Sequence, residues 1–297
     1  MPPDEAVTNS VDPAPVGLPG DSGTPSKRVP GDTRDNPLRN AGRTLHNPLA
    51  EALRIIALTD SAGLRVRLMG GLSFHARCPS WTARIDRDGR DIDLAAPARD
   101  RKALSVLMEA EGYTADRQYN ALYGRKQLYF VDEARGRPVD VLIDQMEMCH
   151  TFEFADRLAI DGPTLPLAEM LLSKLQIAKI NRKDVLDAMA LLAEYPIGSG
   201  DDQTINVDRI VGLTSTDWGW WRTVTGNLDN LRVVFSGDIA PGELDFGRPV
   251  RFAIPDQLDR LRAAIDAAPK STRWKLRARI GERVQWYEEP EEVGHGR

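Results

Sequence analysis

The chain has 297 residues and a formal net charge of −5. That length can bury a sizeable core without disulfide staples, and only two cysteines, Cys78 and Cys149, occur far apart, so a reducing, cytoplasmic setting is expected. No apolar run approaches the roughly 20 residues that span a bilayer, so no membrane partner is expected, and the acidic balance excludes a global basic field, leaving any RNA contact to a local patch.

Residues 1–45 are expected to form a disordered tail. Their first forty residues hold eight of the twenty prolines among Gly, Ser and Asp, with few aliphatics and no periodicity. From Asn47, the spacing of Leu49, Ala52, Leu53, Ile56 and Leu58 predicts an amphipathic helix that Gly63 ends. The alternation Leu64 to Met69 predicts a strand running into a glycine turn at Gly70-Gly71, and a helix follows.

A second strand is predicted over 90–95 and a helix over 101–111, with Leu104, Leu107 and Met108 on one face and Gly112 as its stop. Two further strands, 126–131 and 138–143, flank the polar loop 132–137 as a hairpin. Residues 167–195 read as helix. A single continuous helix would drive Arg182 into the apolar arc, so a break is expected near Asn181, with Asn181 as N-cap and Asp184 at its third position. Further helices are predicted over 205–213, 217–232, 255–267 and 271–287. The expected fold class is α+β: a small mixed sheet flanked by helices over 46–165, followed by a mainly helical region over 166–297.

Residues i and i+2 of a strand share a face, so Asp91 and Asp93 hold two carboxylates side by side while Ile92 points into the core. Carboxylate oxygens suit Mg²⁺ or Mn²⁺, which can support in-line displacement at phosphorus. Asp140 is the candidate third ligand, because a carboxylate inside the apolar run Pro138–Ile143 is costly unless it binds something. The Gly70-Gly71 pair lets backbone approach a phosphate at a helix N-terminus, and Ser73 could add a hydroxyl. Lys174 borders the apolar arc of Leu171, Leu175, Ala178, Val185 and Met189, as a phosphate-seeking cation or a snorkelling flank. Taken alone, each signal also has an ordinary reading as exposed acids, a plain turn or a helix cap.

Together these residues resemble the nucleotidyltransferase-fold proteins related to AbiEii, toxins of type IV toxin–antitoxin systems in the polymerase-beta-like superfamily. The resemblance spans residues 64–195 and is carried by Leu68–Ser73, Arg90–Leu94, Val139–Ile143 and the segment Lys174–Asp187. It implies the nucleotidyltransferase fold, with Asp91, Asp93 and Asp140 as catalytic metal ligands, Gly70, Gly71 and Ser73 as triphosphate cradle, and Lys174 with Asp184 at the nucleotide. It further implies an NTP substrate, Mg²⁺ or Mn²⁺, an RNA or tRNA 3′ end as acceptor and a cognate antitoxin as partner. Two departures stand out: Leu72, in place of Ser or Thr, follows the glycine pair, and 205–297 matches nothing familiar. The competing expectation is a catalytically degenerate module of the same fold that binds a nucleotide or a partner.

Other signals carry less. Asp86–Gly89 has the wrong residues for a calcium loop, and the spacings of His75 with Cys78 and of Cys149 with His150 fit no usual zinc finger. The run Asp217–Arg222 could stack RNA bases, but its tryptophans read first as closing a helical core. Arginines 65, 67, 77, 84, 87 and 90, with Arg125, Lys126, Arg135 and Arg137, form either an acceptor-facing patch or solvated flanks.

Overall fold

The computed structural model describes residues 43–82, 91–160, 162–238 and 250–289. The predicted tail therefore lies outside the described residues up to 42. Its last three residues belong to the folded unit: Thr44 is buried, and the Leu45 amide donates to Glu51.

Helix α1 (Pro48–Ser61) starts where local chemistry allows it, with Asn47 capping the Ala50 amide at 2.9 Å and Pro48 at the first position. A five-stranded sheet follows, built from β1 (Arg67–Met69), β2 (Ile92–Ala96), β3 (Thr114–Ala115), β4 (Gln127–Asp132) and β5 (Arg137–Ile143), in the order β1-β2-β5-β4-β3. The β2–β5 pair is parallel and the other pairs are antiparallel. Helix α2 (Gly70–Arg77) leaves β1 directly, α3 (Arg101–Ala110) follows β2, and α4 (Arg117–Tyr123) precedes β4. The sheet is mixed because β2 reaches β5 through this long excursion, whereas β4 reaches β5 by a hairpin.

Alternation along β4 and β5 sorts the two faces. Leu128, Phe130, Val139, Val141 and Ile143 join Ile92 and Leu94 in a core closed by α1 and α3. The opposite face begins a second core, in which Met69, Phe74 and Ala95 pack with α5 (Leu167–Leu175) and α6 (Arg182–Glu194). That core runs on without interruption into α7 (Val207–Thr216), α8 (Trp218–Val233) and α9 (Ile254–Ala267). The break at Asn181 is present, with its side chain accepting from the Asp184 amide at 3.0 Å.

Several boundaries differ from expectation. The first strand begins at Arg67, and Asp91 stands just ahead of β2. Gly70 and Gly71 form the first turn of α2 itself. The last predicted helix, α10 (Thr272–Ile280), stops well short of 287, because Gly281 adopts φ +62°, which ends the helical path. The arginine patch is also corrected. Arg67 is buried against Asp60 and the Ile160 carbonyl, and Arg137 is buried against Asp132. Positions 84, 87 and 90, and the segment Asp86–Gly89, lie outside the described residues.

Candidate active site

Register brings the acids together. Met69 pairs with Asp93, Asp93 with Asp140, and Asp140 with Tyr129, so one row crosses β1, β2, β5 and β4. Residues in register on neighbouring strands project to the same face, with strands roughly 4.8 Å apart. Asp93 and Asp140 are both half-buried, while Asp91 is exposed at the mouth of β2. The sequence expectation that Asp140 lies on a strand beside Asp93 matches this geometry.

Electrostatics shows how close this grouping is. Burial, followed by the charges of Asp140 and Asp91, pushes the Asp93 carboxyl up to about 7, against partial relief from Lys174 and Lys183. Burial and the charge of Asp140 also raise the Tyr129 and Tyr119 phenols. The row therefore carries an excess of negative charge that the neighbouring cations do not discharge.

Gly70 explains its own identity. It sits at φ +62°, and a Cβ added there would lie 1.9 Å from Asp93 Oδ2. The site thus needs glycine twice over, for backbone conformation and for room beside the carboxylate. Met69, the N-cap of α2, offers no side-chain acceptor, so the first-turn amides at Gly70 and Gly71 lack a side-chain cap. Ser73 is fully buried, and its hydroxyl donates to the Gly70 carbonyl at 2.7 Å. In this conformation it braces the turn.

Lys174 lies over the Phe74 ring at 5.1 Å and pairs with Asp184 at 2.7 Å and Asp187 at 3.1 Å. Asp184 is therefore both a capped helix-start residue and an ion-pair partner, and of the two it is Lys174 whose charge reaches Asp93. Gln127 was not singled out by its sequence. Its Nε2 donates to Asp140 Oδ1, while its Oε1 accepts from the Tyr119 hydroxyl at 2.9 Å. The signal that could have found it is its position on the site face of β4, opposite Leu142 and two residues from Tyr129.

The donor chemistry suits a hard divalent cation: two in-register carboxylates, a third at the strand mouth, and repulsion that such an ion would relieve. Among the described residues, no group of three or more His, Cys, Asp or Glu side chains stands in a geometry ready to hold a metal ion. The ligand set fits by chemistry, with Asp140 held by Gln127. No described helix is long and apolar enough to cross a membrane.

No family model matches the chain, and no curated protein matches it. Among solved structures it is similar to a STING-associated CdnE c-di-GMP synthase from Capnocytophaga granulosa, at 14% identity and a TM-score of 0.25, over 77% of this chain and 79% of that one.

Proposed function

We propose that this chain is a Mg²⁺- or Mn²⁺-dependent nucleotidyltransferase that moves a nucleoside monophosphate from an NTP to an acceptor hydroxyl. The observation that carries the reading is the Asp93–Asp140 register pair with Gly70 pressed against Asp93. A catalytic metal ion held by Asp91, Asp93 and Asp140 would neutralise the triphosphate and polarise the reacting phosphorus. The uncapped first turn of α2 would receive phosphate oxygens, and Lys174 and Lys183 add a positive field. Asp140, oriented by Gln127, takes the proton of the acceptor hydroxyl as its oxygen attacks the α-phosphorus and pyrophosphate leaves. Catalysis on this account is positioning and electrostatics.

The family resemblance supports an RNA or tRNA 3′ end as acceptor, and supports a toxin role with a cognate antitoxin in the cytoplasm. Incubating the protein with total RNA, each α-labelled NTP and Mg²⁺ tests the reaction. Label in RNA supports it, and an unlabelled pool with every NTP contradicts an RNA acceptor. Co-expression with the neighbouring gene product tests the antitoxin.

A second reading, a degenerate nucleotide- or partner-binding module, is favoured by one observation. Lys174 and Ser73, which would serve the nucleotide, are engaged with protein groups. Calorimetry showing metal-independent NTP binding without turnover would select it.

A further inference from the structure

From Asp140 an aromatic series leads away across the surface. Tyr129 meets Tyr119 edge-on at 6.0 Å, and Tyr119 meets Tyr123 at 4.9 Å. Tyr119, Tyr123 and Gln127 line a cavity of about 720 Å³ whose far wall is the segment Gln285, Tyr287 and Glu288. Those same three residues line a second cavity of about 530 Å³, shared with Trp218, Trp286, Arg273 and Arg277. The aromatic series continues through it. Tyr287 meets Trp286 at 5.4 Å, Trp286 meets Trp218 at 5.9 Å, and the Arg277 guanidinium lies 4.7 Å over Trp218.

Charge is sorted along this path. In the first cavity Lys126 is paired with Glu147 at 2.6 Å and Glu289 with Lys179 at 2.9 Å, and Glu288 lines both cavities. These walls suit the faces of neutral rings and not phosphate. Beyond them α10 exposes Arg273, Lys275 and Arg279. Arg273 is 85% exposed and 3.8 Å from Asp217, its nearest acid, and Lys275 and Arg279 form no ion pair among the described residues. Within a chain of net charge −5, this helix is a local basic surface.

We infer that the two joined cavities and α10 form a track for the unpaired 3′ end of a single-stranded RNA, its terminal bases stacked on the Tyr119–Tyr123 and Trp286–Tyr287 rings and its upstream phosphates on α10. Stacked rings with neighbouring arginine are the chemistry that holds single strands without requiring a sequence, and exposed cations supply the salt-dependent part. The inference deepens the transferase reading, on which the placement of the RNA end beside Asp140 rests. The segment 285–288 divides the first nucleoside from those behind it.

Fluorescence anisotropy with a short labelled single-stranded RNA, without NTP or divalent metal, tests the track on the full chain. Tyr123→Ala is expected to weaken binding about tenfold, the loss of one stacked base. The charge reversal R273E/K275E/R279E should weaken it at least as much and flatten its dependence on salt. Blunt duplex RNA should bind more weakly than the single strand. Circular dichroism verifies folding of these surface variants, and Lys275→Gln with Arg279→Gln provides a milder pair whose salt slope must also fall. The inference is overturned if the wild-type chain binds no RNA, if it binds duplex equally, or if the folded variants bind as tightly as wild type. Asp93→Asn separates the two claims. It should abolish transfer and leave RNA affinity intact, whereas wild-type transfer alongside variant-insensitive RNA binding overturns the track alone.

Discussion

Asp93 and Asp140 are register partners on the parallel strands β2 and β5, and the charge of Asp140 is, after burial, the largest influence lifting the Asp93 carboxyl to about 7. Two like charges on one face of a sheet oppose folding unless a proton or a cation stands between them.

This relationship sets a pH dependence for the metal-free protein. An unfolded aspartate titrates near 3.8, so between about 4 and 7 the folded chain holds the extra proton. Its stability therefore falls as pH rises through that window. Asp93→Asn should raise the melting midpoint at pH 8 by a few degrees, since about 1 kcal/mol moves a domain of this size by roughly 2–4 °C. At pH 4 it should change little. Mg²⁺ should stabilise the wild type at pH 8 and not the variant, as measured by scanning calorimetry.

Gly70→Ala is expected to damage both fold and chemistry. The new methyl would collide with Asp93 Oδ2, and the backbone sits at a positive φ. We expect a cost of about 1–3 kcal/mol from the strained backbone. Transfer should fall at least roughly tenfold, because displacing a reacting group by about 1 Å can cost up to a hundredfold. Gly71→Ala, at a negative φ, should be milder. Equal rates for the two variants would refute the packing argument.

Lys174→Met leaves the carboxylates of Asp184 and Asp187 without their shared cation, and the Asp187 side chain is fully buried. Breaking a buried pair costs about 3 kcal/mol. Chemical denaturation should show that loss, and adding Asp187→Asn should recover part of it. A neutral result for the single variant would show that the ion pairs are not formed.

His150 carries a separate acid sensitivity. Burial holds its imidazole down to about 4, with its ring nitrogen 2.8 Å from Thr223 Oγ1. Because the unfolded histidine titrates near 6.5, the unfolded chain binds the extra proton between about 6.5 and 4, and stability is lost as pH falls through that range. His150→Gln should flatten this part of the stability curve. Because Asp93 acts with opposite sign over the same range in both proteins, the test is the difference between them: a His150→Gln curve that runs parallel to the wild-type curve below pH 6 would argue against a buried neutral imidazole.

Periodicity made the sheet, the break at Asn181 and the pairing of acids legible, because each rests on local rules: alternation, capping residues and the cost of a carboxylate in an apolar run. What was not legible depends on distant contacts. The burial of Arg67 requires Asp60 and the Ile160 carbonyl, 93 residues away for the latter, and no spacing announces that. Gln127 becomes relevant only when β4 is set beside β5. The overlong helix expected to 287 failed at one residue, Gly281: a glycine in a sequence fits either a helical position or a stop, and only the folded backbone, at φ +62°, makes it a stop.

The most direct test of the central claim is radiolabel transfer from NTP by wild type, Asp93→Asn and Asp140→Asn, each titrated with Mg²⁺ and with EDTA. The account predicts metal-dependent transfer by the wild type and a drop of at least roughly a hundredfold in each folded variant, the scale on which removing one electrostatic stabiliser acts. Metal-independent transfer, or transfer retained by the folded Asp93→Asn and Asp140→Asn proteins, would contradict it.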